Sequence, residues 1–215
     1  MELDEHEQGE LVQKWLRQNG SSLITGIAMG LALVFAWQWW QGNGVRHQEQ
    51  AATQYQSLTD ALDASDAHKA KAFSASLAEK YSDTPYSDLG VLRQAAFLQA
   101  NGKTDEALAL LKATQPKVKQ PDLAEMFKLR LTRLLLIAGK ADEANKQLAT
   151  ITSPRFAAIA DELRGDIAST QGDREAARKA YQMALTNLDQ AAPMRNLLEL
   201  KLIDAGGQPP AKPET

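Results

Sequence analysis

Polarity along the chain changes character twice. Residues 1 to 17 mix acids with Leu11, Val12, Trp15 and Leu16, which recur on one helical face and lead into an uncharged stretch. Between Arg17 and Arg46 lie 28 residues without a charge, and Leu23 to Trp40 (LITGIAMGLALVFAWQWW) is apolar apart from Thr25, Gln38 and its glycines. Beyond that point apolar residues return at intervals of three and four. Tyr55, Leu58, Ala61 and Leu62 mark a helix over 49–64, and Ala70, Phe73 and Leu77 one over 67–81. Asp83-Thr84-Pro85 offers a cap and a first-turn proline for the next helix. A last helix starts at Pro193 and carries Leu197, Leu198, Leu200, Leu202 and Ile203. No alternating run of β-branched residues demands a sheet, so the pattern predicts an all-α chain.

The uncharged stretch reads as a transmembrane helix over 21–44. Eighteen helical residues span about 27 Å, close to the hydrocarbon thickness of a bilayer. Leu23, Ile24, Ile27, Leu31, Leu33, Val34 and Phe35 favour insertion by about 2 to 4 kcal/mol, with no charge to oppose them. Trp37, Trp39 and Trp40 cluster at one end, where amphipathic rings anchor a helix at the membrane interface. A cleaved signal peptide would have a basic start and a small-residue cleavage site, whereas this start is acidic and the run ends in tryptophans. Lys14 and Arg17 on one side against Arg46 on the other predict a cytoplasmic N-terminus and, in a bacterium, a periplasmic remainder. Ser22, Gly26 and Gly30, four apart, line one face on which a second membrane helix can pack closely. Glycine is also simply common in membrane helices, and the sequence leaves both readings open.

The remainder repeats. Gly102-Lys103-Thr104-Asp105-Glu106-Ala107, Gly139-Lys140-Ala141-Asp142-Glu143-Ala144 and Gly172-Asp173-Arg174-Glu175-Ala176-Ala177 follow one another at spacings of 37 and 33 residues. A period near 34, with glycine between two helical patterns and a small residue five positions later, is the mark of tetratricopeptide repeats. Glycine ends the first helix of a pair in a left-handed cap, and the alanine lets the second fold back on it. The third repeat is the best formed, with Gly165 at the small position of its first helix and Ala177, Tyr181 and Ala184 on the inner face of its second. Leu111 and Leu148 stand where the third has Tyr181, and the closing prolines are displaced to Pro116 and Pro154. The expected architecture is therefore an α-solenoid of tetratricopeptide-like helix pairs over 46–205, closed by a C-terminal capping helix. An acidic cytoplasmic tail over 1–20, disordered over Met1 to Glu10, and a disordered tail over 206–215 flank it.

Charge and composition narrow the function. Residues 1 to 20 carry five acids against two bases, while the chain beyond residue 45 is neutral, with 22 of each interleaved. Nucleic acid, which needs a clustered basic surface, is excluded as the main partner. With no cysteine there is no disulfide, thiolate metal site or thiol nucleophile. His6, His47 and His68 lack any metal-ligand spacing, and no phosphate loop or nucleophile elbow is present. The acid pairs Asp105-Glu106 and Asp142-Glu143 recur at helix starts, where negative charge complements the dipole. No catalytic residue, cofactor or metal is expected.

The acidic start, the single membrane helix ending in tryptophans, the run Ala157-Ala158-Ile159-Ala160-Asp161-Glu162-Leu163-Arg164-Gly165-Asp166 leading into Gly172-Asp173 and Ala177-Arg178-Lys179-Ala180-Tyr181, and the closing Asn196-Leu197-Leu198-Glu199-Leu200-Lys201-Leu202 resemble the YfgM family of Gram-negative bacteria. That resemblance implies an inner-membrane protein that associates with the SecYEG translocon and with the periplasmic chaperone PpiD, takes part in periplasmic folding, and has no catalytic residues. An anchored scaffold for another envelope-assembly complex is the alternative. In tetratricopeptide domains the first helices of successive repeats line a groove. Counting from the turn glycines places Leu89, Leu92 and Gln99 there, then Met126, Leu129, Arg133 and Leu136, then Ile159, Glu162, Asp166 and Ser169. Such a mixture suits the chaperone partner or an unfolded client. Leu129 and Leu136 serve equally well to pack one repeat on the next.

Overall fold

The computed structural model of the chain describes residues 5–208, with side chains from Gln13 onward. Every regular element among them is helical: α1 (Glu5–Asp63), α2 (Ala67–Lys80), α3 (Pro85–Ala100), α4 (Thr104–Thr114), α5 (Pro121–Ile137), α6 (Ala141–Leu148), α7 (Ala157–Thr170), α8 (Arg174–Asn187) and α9 (Arg195–Asp204). Single 3-10 turns, Gln115–Lys117 and Pro154–Phe156, lie between α4 and α5 and directly before α7. The chain divides into two units at Gln50.

In the first unit α1 exposes apolar side chains on every face: Ile24, Leu33, Phe35 and Trp39 are all more than half exposed. Its most apolar 18-residue window has a mean hydropathy of 1.7 and none of it is buried, so α1 contains one helix long and apolar enough to cross a membrane. A helix apolar all round needs lipid or a protein core to cover it. The Thr25 hydroxyl donates to the Ser21 carbonyl at 2.8 Å and so asks nothing of water. The Trp37 and Trp40 rings lie 5.7 Å apart.

The helix begins at Glu5 and runs unbroken to Asp63. Residues 5–10, within the stretch expected to be disordered over Met1 to Glu10, are helical, and residues 1–4 lie outside the described ones. The expected boundary near residue 45 falls within α1, and the helix expected over 49–64 is its last part. No proline occurs before residue 85, and glycines such as Gly42 and Gly44 cost a helix about 1 kcal/mol each without removing a donor.

In the second unit each first helix ends in the same way. Gly102, Gly139 and Gly172 have φ of +75°, +73° and +80°. In each case the N–H of the following residue donates to a carbonyl five residues back: Lys103 to Leu98, Lys140 to Leu135 and Asp173 to Ala168, all at 2.9 Å. That is the Schellman arrangement, and it aims the second helix back along the first. The alanines five residues on, Ala107, Ala144 and Ala177, are all fully buried. Two further turns use it without having been expected. Ser65, at φ 55°, takes the glycine role at the end of α1, and Gly206, at φ 84°, ends α9. Gly207 donates to the Leu202 carbonyl, and a side chain there would strike Leu202, so residues 206–208 form an ordered cap. These three residues fall within the tail expected to be disordered over 206–215, and residues 209–215 lie outside the described ones.

The central core gathers Leu111, Phe127, Leu134, Leu148 and Leu163 from α4 to α7; smaller clusters lie around Leu58 and Leu77 and around Tyr181 and Leu202. Thr84 occupies the N-cap of α3, but its hydroxyl donates to the Tyr81 carbonyl at 2.8 Å and gives the helix no side-chain cap. α9 begins at Arg195, two residues later than expected, because Asp189 organises a turn by accepting from the Ala191 N–H at 2.7 Å.

One difference among the second helices carries a prediction. Asp173 caps α8 by accepting the Ala176 N–H at 2.9 Å, whereas Lys103 and Lys140 stand at the same position before α4 and α6 and supply no cap. Lys103→Asp and Lys140→Asp are each expected to stabilise the fold by about 1 kcal/mol, the ordinary worth of an N-cap. Urea unfolding followed by helical ellipticity checks this, and an unchanged midpoint in both variants contradicts it.

Candidate functional site

The first helices of the pairs bring recurrent positions to one surface. Leu89, Met126 and Ile159 stand thirteen residues before their turn glycines, and Leu92 and Leu129 ten before theirs. These five line a single cavity of about 430 Å³ together with Arg133. Of the sequence-expected groove residues, therefore, Leu92, Met126, Leu129 and Arg133 meet there, along with Leu89 and Ile159. Leu129 is almost wholly buried and serves the core as well as the groove wall.

Gln99, Leu136 and Ser169, three residues before each glycine, do not line the cavity. Leu136 packs against the central core instead, so for this residue the repeat-packing alternative describes its place. Glu162 and Asp166 are drawn into an internal cluster. Lys201 of α9 reaches the Glu162 carboxylate at 2.7 Å and both Asp166 oxygens at 2.8 Å, and the Tyr181 hydroxyl donates to Asp166 Oδ1 at 2.9 Å. Glu162 is buried. Burial acts to lower the Lys201 pKa, but the hydrogen bonds it donates to Asp166 and Glu162 prevail and hold it above its ordinary value. Burial, and then Asp166, pushes the Tyr181 phenol up, so it remains a neutral donor. Arg133 links this cluster to the groove through Glu162 at 3.6 Å. Reversing Arg133 and Glu162 together would therefore disturb internal structure as well as any partner contact.

Sequence reasoning missed Tyr55, Arg93, Ala96, Arg130 and Phe156, which complete the lining. Arg93 and Arg130 had a signal, since both stand nine residues before a turn glycine. Tyr55 and Phe156 had none, because they come from α1 and from the turn before α7. Arg93 is ion-paired with Asp63. Arg130 has no ion pair or hydrogen bond among the described residues, and burial followed by the charge of Arg133 lowers its pKa. The result is an apolar groove edged by three guanidinium groups, two of them already matched by carboxylates.

In the first unit, a Cβ added at Gly26 or Gly30 would meet nothing within 4 Å, so this face is open to a neighbouring helix or to lipid. Trp37, Trp39 and Trp40 are exposed at one end of the apolar run. Among the described residues no group of three His, Cys, Asp or Glu is placed to hold a metal ion.

Similarity to known proteins covers nearly the whole chain. An ancillary SecYEG translocon subunit of Escherichia coli K12 is 26% identical over 202 residues, 93% of this chain and 95% of that protein. Proteins of the same description from Haemophilus influenzae and Aggregatibacter actinomycetemcomitans are 26% and 23% identical over 85% and 86% of the chain, covering 89% and 90% of their own lengths. The resemblance to the YfgM family read from the residues thus extends to named relatives. No solved structure matches the chain. Residues 13–207, the apolar helix and all the helix pairs, match the tetratricopeptide repeat-like domain family, and the chain belongs to that family.

Proposed function

We propose that the protein is a non-catalytic, membrane-anchored scaffold at the SecYEG translocon, its N-terminus in the cytoplasm and its helix pairs in the periplasm. There it binds a PpiD-like chaperone and assists the folding of translocated proteins. The observation that carries this reading is the similarity, end to end, to proteins named as ancillary translocon subunits, in a chain whose apolar helix lies wholly uncovered. The anchor confines the domain near the channel and raises its effective concentration there. The groove of Leu92, Met126, Leu129 and Arg133 offers the contact surface for the chaperone or for an extended client. Ser22, Gly26 and Gly30 form the face on which a translocon or chaperone membrane helix packs.

The test is isolation from native membranes in mild detergent, with mass spectrometry of what accompanies the intact chain, a chain lacking residues 1–45, and a Gly26→Leu/Gly30→Leu variant. Translocon subunits and a periplasmic chaperone are expected with the intact chain, and loss of the translocon on truncation. The double leucine variant, whose added Cβ atoms meet nothing in their own chain, is expected to lose translocon yield several-fold. Undiminished yield removes the glycine face from the proposal, and cell-wall or outer-membrane assembly proteins in place of the translocon favour the alternative scaffold.

A further inference from the structure

The groove contains a charge that no described residue answers. Arg93 and Arg130 occupy the same repeat position on α3 and α5, and Arg133 lies one turn further along α5. Asp63 pairs with Arg93 and Glu162 with Arg133. Arg130 has no such partner among the described residues, although it shares the cavity with Leu92, Met126, Leu129 and Phe156. A half-buried guanidinium loses hydration to these apolar neighbours and is repelled by Arg133. Its planar fork matches a carboxylate in two parallel hydrogen bonds.

We infer that the groove selects an apolar protein segment bearing a carboxylate, which seats against Arg130 between the walls supplied by α3 and α5. This deepens the reading of the groove as the partner-binding surface and rests on it. The occupant is identified by complementarity. Apolar side chains fill the walls, and one acid supplies the missing counter-charge, where a neutral segment leaves Arg130 buried further and still unpaired. Arg130 thereby acts as a specificity residue, while affinity comes mainly from the apolar walls.

The experiment uses the full chain in detergent micelles and two fluorescein-labelled, acetylated leucine-alanine peptides that differ only in carrying paired glutamates or paired glutamines. Fluorescence anisotropy is expected to show the glutamate peptide bound about tenfold or more tightly, the worth of a charge-assisted hydrogen bond. Arg130→Gln is expected to abolish that preference, bringing the affinities of the two peptides together. Arg130→Lys, which keeps charge without the fork, is expected to restore part of it. Equal affinity for the two peptides, a preference that survives Arg130→Gln, or binding of neither peptide overturns the inference. Failure to co-isolate the translocon with the preference intact would sink the proposed cellular role and leave this selectivity standing.

Discussion

Lys201→Met is expected to destabilise the second unit by about 3 kcal/mol, because it leaves Asp166 without its cation and Glu162 with only the 3.6 Å contact to Arg133. The Lys201 side chain is 26% exposed, Asp166 21% and Glu162 7%, so solvent screens the cluster only in part. A loss of that size lowers the unfolding temperature by about 6 to 12 °C in a domain of this length. Asp166→Asn added to Lys201→Met should recover part of the loss, since it removes the uncompensated charge. A melting temperature equal to that of the parent chain would show that the cluster contributes nothing to stability. The same cluster sets a pH dependence. Lys201 and Tyr181 both hold their protons more tightly folded than at their ordinary values of 10.5 and 10.0. Their contribution is therefore complete below about pH 10 and is lost as pH rises through the raised folded values. Alkaline unfolding in the parent chain should be steeper than in Lys201→Met.

Gly165→Ala is expected to cost about 2 kcal/mol, although alanine is the better helix former by about 1 kcal/mol. The added Cβ would lie 2.3 Å from Cε1 and 2.5 Å from Cδ1 of Tyr181, a rigid ring that cannot yield without leaving its place. Displacing the ring also strains the hydrogen bond from its hydroxyl to Asp166. The other repeats show the compensation. Where the third pairs Gly165 with Tyr181, the first has Ala95 with Leu111 and the second Thr132 with Leu148, all buried. Gly165→Ala with Tyr181→Leu should therefore recover most of the loss. Urea midpoints for the two single variants and the double give the coupling, and simple additivity would contradict the packing argument.

The helix pairs were legible because their signals are local. The left-handed turns at Gly102, Gly139 and Gly172, the buried alanines five residues later and the apolar span in α1 each follow from a few neighbouring residues. Local detail departed from expectation where a weaker local device won. Before α3, which starts at Pro85, Thr84 turns its hydroxyl back to Tyr81 instead of capping; Asp189 organises a turn ahead of α9; and Ser65 adopts a conformation usually left to glycine. In the groove, counting from the glycines located Leu89, Leu92, Met126, Leu129, Arg133 and Ile159. The same counting assigned Glu162 and Asp166 to that surface, where α9 intervenes with Lys201.

That the chain is a run of paired helices following one apolar helix, and which face of each paired helix is apolar, is legible in the residues alone. Helical periodicity and glycine's freedom at positive φ are properties of the local chain, so they are written in adjacent residues. What those faces meet is set by how distant helices pack. Lys201 finds Glu162 across 39 residues, Arg93 finds Asp63 across 30, and Arg130 is left without a partner among the described residues. A charge's partner depends on where distant helices pass one another, and periodicity along one helix carries no record of that.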